Sequence, residues 1–184
     1  AFNLTYDAWK KAEIGRQMQH SLSGKIGTFH QKLLGKMEGW IDLGVGNGAD
    51  LVNHDRKIIA EIKNKYNTAK GDTRHNIYDN LFDDVMNNNS QYKNYTAYFV
   101  EIIQKRPIRY NKEFVPSNNK TSQRKEAKKN IRMIDGYSFY KLVTGEEDAL
   151  EEVFKKIRLS ILKNYNKEII KFHNIQSLFD KAYF

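Results

Sequence analysis

The sequence contains no cysteine. Disulfide cross-links, thiolate metal ligands and thiol nucleophiles are therefore excluded, and a reducing cytoplasm is compatible with the chain. Long apolar runs are also missing, so nothing resembles a membrane span or the hydrophobic part of a secretory signal. We expect a cytoplasmic protein whose chemistry depends on oxygen- and nitrogen-bearing side chains.

Acidic residues are scarce relative to basic ones, with 22 Asp and Glu against 31 Lys and Arg and a net charge of +9. The isoelectric point is about 9.5 and the mean hydropathy is −0.74. This charge favours a polyanionic partner such as nucleic acid, although a basic protein without one has the same balance. With 184 residues, of which 40% are hydrophobic, we expect one domain spanning 1–184.

The stretch from Gly48 to Lys63 is the most informative part of the chain, and its second half predicts a strand over Lys57–Asn64. Side chains two residues apart on a strand project to the same face. One face then consists of Ile58, Ala60 and Ile62, and the other of Ile59, Glu61 and Lys63. The second face is unusual because it carries a carboxylate and an ammonium on a strand that should be buried.

Both charges need compensation, since burying either alone is costly. A short strand over 49–54 and a turn at Asp55-Arg56 would form a hairpin that brings Asp50 close to Glu61. Two clustered carboxylates are ligands of the kind that hold Mg²⁺ beside a phosphate. Lys63, on the same face as Glu61, could orient or activate a water.

Three alternating glycines in Gly44–Gly48 precede this hairpin. A nucleotide-binding loop would follow a strand and open a helix, and it would carry further glycine and lysine elements that are missing here. We predict instead a tight turn into the Asp50 strand. Asp42, just before the glycines, is predicted to be a turn residue more than a metal ligand.

Asp50, ten intervening residues and then Glu61-Ile62-Lys63 resembles the PD-(D/E)xK nuclease signature. Ala49 stands where that signature has proline, which removes a turn constraint but no chemical group. The segments GWIDLGVGNGADLVNHDRKIIAEIKNKYNTAKG and IDGYSFYKLVTG are similar to type II restriction endonucleases, in particular to the group that cuts GGNCC sites (AsuI specificity). The similarity covers roughly Phe29 to Gly145.

The resemblance implies a bacterial enzyme that uses Mg²⁺, and no small-molecule cofactor, to hydrolyse both strands of duplex DNA at a short palindrome. It implies 5′-phosphate and 3′-hydroxyl ends, and an α/β, restriction-endonuclease-like fold with a small mixed sheet of four or five strands flanked by helices. Asp50, Glu61 and the carbonyl of Ile62 would hold the metal, and Lys63 would position water and offset developing charge. A palindrome is read most simply by a two-fold dimer, so we expect a homodimer.

A polar loop after the Glu61 strand is the first candidate for DNA contact. Its amides, hydroxyls and lysines are groups that position phosphates, although any solvated loop has a similar composition. The candidates are Lys65, Asn67, Thr68 and Lys70.

Residues 105–132 hold both prolines and many basic and amide side chains, and we predict a DNA-contacting basic insertion there. Such side chains bind phosphates and also read guanine and adenine edges in the major groove. The alternative is a flexible charged insertion with no partner. The candidates for guanine contact are Arg106, Arg109, Arg124 and Lys125.

Helical periodicity predicts two helices near the N-terminus, one capped by Thr5 and ending near Leu22, and a second from Ile26 to Met37 after a break at Gly24. From the second helix, Gln31 or Glu38 could approach the metal as an accessory group, although both are typical of polar positions on a helix surface. His30, at the edge of the apolar stripe, is predicted to be a partly buried histidine with satisfied hydrogen bonds rather than a catalytic base.

Tyr95–Gln104 is nearly continuously apolar and predicts a buried central strand beside the Glu61 strand. Within it, Glu101 either pairs with a lysine or contributes a further acid, and the structural pair is preferred. A short strand or turn at 134–136 precedes a helical turn, and no catalytic role is predicted for Asp135. Further helices are predicted from Asp72, as the cap, to Met86, from Glu146 to about 165, and over 167–184.

Two other functions remain open from the residues. A repair or recombination nuclease with the same core would cut structured or damaged DNA without a fixed sequence. A non-catalytic DNA-binding module would need only the positive charge and the basic insertion.

Overall fold

The computed structural model describes residues 5–44, 46, 48–117 and 123–164. Within them the chain forms four helices and six strands. In chain order these are α1 (Tyr6–Leu34), β1 (Ile41–Asp42), β2 (Leu51–Asn53), β3 (Ile58–Lys65), α2 (Gly71–Met86), β4 (Thr96–Ile103), β5 (Asn111–Glu113), β6 (Ile131–Asp135), α3 (Gly136–Thr144) and α4 (Ala149–Asn164).

The strands form one mixed sheet in the order β1-β2-β3-β4-β6-β5. β3, β4 and β6 are parallel to one another, whereas β1, β2 and β5 are added antiparallel. The α/β prediction is confirmed, and the architecture is consistent with a restriction-endonuclease-like fold. The predicted four or five strands become six because short β1 and β5 extend the sheet at both edges.

Alternation along β3 divides the core into two layers. Ile58, Ala60 and Ile62 belong to a cluster that includes Leu34 of α1 and residues of α3 and α4. Ile59 belongs to the opposite cluster, which is built largely with α2. The predicted faces of this strand are thus confirmed, and they leave Glu61 and Lys63 on the α2 side.

The predicted break at Gly24 is wrong, because α1 runs without interruption from Tyr6 to Leu34. A glycine inside a helix costs about 1 kcal/mol relative to alanine, which flanking helix formers can offset. The helix starts where predicted, with Thr5 accepting a hydrogen bond from the main-chain N–H of Ala8. Asp72 is not a cap either, because α2 begins one residue earlier and Lys70 occupies the cap position.

The predicted buried strand over Tyr95–Gln104 is confirmed as β4, which lies beside β3. The segment 105–132 is not wholly an insertion outside the sheet, because it contains β5 and the first two residues of β6. The helix predicted from Glu146 begins at Ala149. The helix predicted over 167–184 lies outside the described residues.

His30 is 1% exposed and hydrogen-bonds through Nδ1 to the Tyr140 hydroxyl at 2.7 Å. Burial lowers the pKa of its imidazole to about 4. The prediction of a histidine with a satisfied hydrogen bond is confirmed, although the side chain is fully buried and not partly buried as predicted. None of the helices in the described part of the chain has the length and apolar character needed to cross a membrane.

Gly136, at the junction of β6 and α3, should not tolerate a side chain. A Cβ there would lie 2.4 Å from the main-chain oxygen of Ile102, whereas a Cβ at Gly15 of α1 would meet nothing within 4 Å. We expect Gly136→Ala to lower the free energy of unfolding by about 2–3 kcal/mol and Gly15→Ala to raise it by about 0.5–1 kcal/mol. Urea unfolding of both variants checks this, and equal effects would contradict the packing described.

The buried His30 should make the protein sensitive to acid. Its pKa is lower in the folded state, so the unfolded chain binds more protons between about pH 6.5 and 4, and stability is lost as the pH falls through that window. His30→Gln keeps a polar partner for Tyr140 but does not titrate, so it should reduce the loss by up to about 3 kcal/mol. Tyr140→Phe, which keeps the imidazole, should lower stability without flattening the pH profile of the unfolding free energy.

Candidate active site

Glu61 and Lys63 lie on β3, toward the end of the sheet where β3 and β4 finish and β2 starts. Antiparallel pairing places Leu51 opposite Ala60, so Asp50 comes beside Glu61. The Asp50 main chain continues the pairing, with its N–H donating to the Ala60 carbonyl at 2.9 Å. The predicted hairpin is therefore present, with its turn over 54–57.

Asp50 is fixed by the main chain of the strand beside it. Its Oδ2 accepts a hydrogen bond of 2.6 Å from the Ile62 N–H. Lys63 Nζ donates to Glu61 Oε1, forming a salt bridge between side chains that are 25% and 13% exposed. The structure thus brings Asp50, Glu61 and Lys63 together, as the spacing predicted.

The two carboxyl groups disturb each other's ionisation. Burial, followed by the charge of Asp50, raises the pKa of Glu61 to about 7, although Lys63 acts in the opposite direction. Burial also raises the pKa of Asp50, against the hydrogen bond from Ile62 and the charge of Lys63. Protonated Glu61 donates a hydrogen bond to Asp50. Near neutral pH the pair therefore holds a proton that a cation would displace.

This donor set suits a hard divalent cation. Two carboxylates and a main-chain carbonyl offer only oxygen, which Mg²⁺ prefers, and a single ammonium compensates the pair. Within the described ranges, no group of three or more His, Cys, Asp or Glu side chains is placed to hold a metal. A cation here would therefore depend on Asp50, Glu61 and non-carboxylate oxygens such as the Ile62 carbonyl.

Of the two predicted accessory residues, only Gln31 reaches the site. Its Nε2 donates to Asp42 Oδ1 at 2.7 Å and to the Asp50 carbonyl at 3.4 Å. Asp42 also accepts from the Gly44 N–H at 2.9 Å, as a turn residue would. Glu38 is exposed after α1, next to Gly39, which lies close to the Asn53 side chain near the hairpin turn. The structure does not bring Glu38 to the Asp50 end of the hairpin.

The glycine segment shapes the approach to Asp50. Gly44, Gly46 and Gly48 all have positive φ angles, a conformation that glycine adopts without a Cβ penalty. A Cβ at Gly48 would lie 3.0 Å from Asp84 Oδ2, so space is also limited there. These features agree with the predicted tight turn into the hairpin.

The segment from the last residue of β3 to the start of α2 presents its polar side chains to solvent. Its four candidates for DNA contact, Lys65, Asn67, Thr68 and Lys70, are all exposed. The Tyr66 N–H donates to the Ile103 carbonyl at 2.9 Å, so this loop also adjoins the end of β4. Its position fits phosphate contact, which stays a prediction.

Glu101 forms a structural pair, as predicted, but its partner is an arginine. It is 2% exposed and accepts from Arg74 of α2 at 2.8 Å and from the Tyr110 hydroxyl at 2.8 Å. In the sheet register it lies opposite Lys63. Arg74 had no signal in the sequence, because a lone arginine in the first turns of a helix is common.

The four basic residues predicted to read guanine lie in two places. Arg106 and Arg109 follow β4, at the end of the sheet that is nearer to Asp50 and Glu61. The Arg109 guanidinium lies 3.1 Å from the Tyr137 ring centroid. β5 then leads the chain away from that end. Arg124 bridges to Ser117 beyond β5, and Lys125 forms a 2.6 Å ion pair with Asp79. The structure therefore does not bring Arg124 and Lys125 to the candidate active site.

The chain is similar to a family model and to known restriction enzymes. A family model described as Eco47II restriction endonuclease matches residues 1–166. The type II restriction enzyme Eco47II of Escherichia coli is 47% identical over 149 residues, which are 81% of this chain and 62% of that enzyme. The type II restriction enzyme Sau96I of Staphylococcus aureus is 33% identical over 162 residues, 86% of this chain and 60% of that enzyme.

The chain spans about three fifths of the length of both relatives. No solved structure matches it significantly. The family match extends over most of the chain and includes the hairpin, the loop after β3 and the whole sheet. The chain belongs to the Eco47II restriction endonuclease family.

Proposed function

We propose that this chain hydrolyses phosphodiester bonds of double-stranded DNA at a short palindromic site, as a Mg²⁺-dependent type II restriction endonuclease. The observation that carries the proposal is the meeting of Asp50, Glu61 and Lys63 beside one end of the sheet. Family membership supports the reaction class, and the resemblance to enzymes of AsuI specificity favours a GGNCC-type site. Products with 5′-phosphate ends are part of the same proposal.

Each residue has a role that follows from its environment. Asp50, held by the Ile62 N–H, and Glu61 offer carboxylate oxygens, and the Ile62 carbonyl offers a third. The bound Mg²⁺ would supply positive charge at the scissile phosphate and lower the pKa of a water. Lys63, released from Glu61, donates a hydrogen bond to the attacking water or to a phosphate oxygen, where it offsets developing negative charge.

Exposed cations around this end of the sheet would hold the DNA. The loop over 65–70 and the segment after β4 lie next to each other there, and both carry lysine or arginine. Phosphate contacts fix the register of a duplex without reading its sequence. A two-fold homodimer would place one such site on each strand of a palindrome, and it remains part of the proposal.

Cleavage should depend on the three converging side chains. We expect Asp50→Asn, Glu61→Ala and Lys63→Met each to lower the rate of plasmid cleavage in Mg²⁺ by at least about 100-fold. Affinity for DNA should survive, because the basic loops are unchanged. Gel assays of supercoiled plasmid measure cleavage, anisotropy in EDTA measures binding, and end sequencing gives the site and the 5′ chemistry.

Asp55→Asn is the matched control, since Asp55 is an exposed carboxylate at the opposite end of the same hairpin. It should cleave like the unaltered protein. Equal cleavage by Glu61→Ala would favour a non-catalytic DNA-binding module. If the protein cleaves DNA at scattered sequences and this cleavage still requires Glu61, a repair nuclease with the same core is favoured.

Without metal, Glu61 should destabilise the folded protein at high pH. Its pKa is raised from 4.5 to about 7 on folding, so the folded state binds more protons in this window and stability falls as the pH rises through it. Glu61→Gln cannot ionise, and in EDTA above pH 7 it should be more stable by up to about 3 kcal/mol. Lys63→Met should instead lower the stability of the folded protein above pH 7, because the two carboxylates lose the ammonium group that compensates them. Urea titrations at pH 5 and pH 8 measure both.

A further inference from the structure

The strand pairings place a line of residues across the sheet, from the candidate active site to the far edge. Glu61 of β3 lies opposite Phe99 of β4, which lies opposite Met133 of β6. Met133 in turn lies opposite Lys112 of β5. Directly opposed residues project to the same face of a sheet, so Lys112 shares the α2 face with Glu61. Three strand spacings separate the two residues, which is roughly 14 Å.

Arg74, in the first turns of α2, occupies the middle of this line. Its guanidinium carbon lies 5.1 Å from the centroid of the Phe99 ring, and its Nη2 donates to Met133 Sδ at 3.4 Å. Its Nη1 donates to Glu101 at 2.8 Å, so the side chain is held in place although 24% of it is exposed. The line therefore presents a guanidinium and then, on β5, the Lys112 ammonium.

Two neighbouring clefts open beside this line, with volumes of about 490 and 430 Å³. Arg74, Lys112 and Met133 line both of them. The first cleft also reaches Gly71 at the start of α2, and the second reaches Tyr66 in the loop after β3. Because they share these walls, the two clefts form one groove that leads from that loop to β5. We call it the β5 groove.

The cations of the β5 groove are free to meet a ligand. Lys105, Arg106 and Lys112 are exposed, and none of them forms an ion pair with the described residues. Other lysines in the same part of the chain, such as Lys125 and Lys155, do pair with carboxylates. A concave surface that keeps several like charges unpaired concentrates ions of the opposite sign. The groove therefore favours an anionic ligand.

The other polar groups of the groove agree with this charge. Glu101 already forms the ion pair and the hydrogen bond described above. Glu113 follows Lys112 on β5, so its side chain projects to the other face of the sheet. Gln104 is 4% exposed, and neither its Oε1 nor its Nε2 has a partner within the described ranges. The groove thus has hydrogen-bonding capacity that the described residues do not use.

The length of the line suits the backbone of a nucleic acid strand. One strand of duplex DNA advances 3.4 Å along the helix axis with each nucleotide, so roughly 14 Å is on the order of a few nucleotides. A strand whose scissile phosphate lies at Glu61 can therefore present another phosphate to Lys112. Arg74 lies between these two points and would face the intervening backbone.

We propose that the β5 groove binds the sugar–phosphate backbone of the DNA, with Lys112 donating to a phosphate oxygen a few nucleotides from the bond that is cut. This inference rests on the proposed nuclease function and extends the DNA-binding surface from the loops after β3 and β4 to β5. Phosphate is common to all nucleotides, so the contact adds affinity and fixes register without specifying a base pair.

The salt dependence of binding tests the groove without requiring cleavage. Anisotropy in EDTA gives the affinity for a duplex over a range of salt concentrations. Lys112→Gln should reduce the magnitude of the slope of log K against log salt by about 0.9, the value of one phosphate contact. Lys112→Arg keeps the charge and should restore the slope. Because Lys112 is exposed, both variants should unfold at the same urea concentration as the unaltered protein.

Lys93→Gln is the matched control. Lys93 is an exposed lysine just before β4, at the opposite end of that strand from the groove, and it donates to the Asn88 side chain and not to an acid. The variant changes the net charge as Lys112→Gln does. It should nevertheless leave the slope unchanged.

A second measurement locates the contact along the DNA strand. Sequencing the ends of digested plasmid gives the cleavage site, and duplexes with that site are made with one uncharged methylphosphonate at successive positions around the cut. At one position a few nucleotides from the cut, this linkage should weaken binding by the unaltered protein about tenfold. Lys112→Gln should bind that duplex and the unmodified one equally, whereas Lys93→Gln should remain sensitive.

Three results overturn the inference while leaving the nuclease function intact. One is a Lys112→Gln variant with the salt slope of the unaltered protein, and another is a Lys112→Gln variant that stays sensitive at every methylphosphonate position. The third is a Lys112→Gln variant that cuts at other sequences, which would show that Lys112 reads a base. If the unaltered protein binds DNA but cuts none in Mg²⁺, the proposed function fails, and the salt slopes still decide whether the groove binds DNA.

Discussion

The pairing of β2 with β3 is the constraint on which the site depends. Asp50 and Glu61 are two partly buried acids side by side. Burial raises the pKa of both, and the charge of Asp50 raises the pKa of Glu61 further. Main-chain hydrogen bonds hold Asp50 there, from its own N–H to Ala60 and from the Ile62 N–H to its carboxylate. A slip of one residue would turn Glu61 and Lys63 to the opposite face, so the register of one short hairpin determines whether the site exists.

The direction of the strands explains how cations collect around this site. Parallel strands end at the same edge of a sheet, so the segments that follow β3 and β4 meet at the edge toward which Glu61 and Lys63 lead. β5 then runs back along β6 and carries the basic segment to the other end of the sheet. The basic stretch is therefore divided in space: Arg106 follows the end of β4, whereas Lys125 pairs with Asp79 of α2.

Alternation along β3 allowed the hairpin to be predicted, and a nearly continuous apolar run allowed β4 to be predicted, because a strand covered on both faces is apolar throughout. The interruption expected at Gly24 and the cap expected at Asp72 were wrong, since both depend on local free energies of about 1 kcal/mol that packing of the surrounding helix outweighs. Arg74 and Gln104 could not have been found from sequence, because their importance comes from contacts, or missing contacts, with segments distant along the chain.

The unsatisfied buried groups show where function opposes stability. Within the described residues, buried side-chain atoms without a partner belong to Asn64, Asp84 and Gln104. Asn64 follows Lys63, Asp84 contacts Gly48 in the turn that leads to Asp50, and Gln104 follows β4. Each lies in, or against, a segment next to the strands of the site, whereas the two apolar layers consist of buried hydrophobic residues. Because an unpaired buried polar group costs about 1–3 kcal/mol, the apolar layers of the sheet must offset the cost of these three side chains.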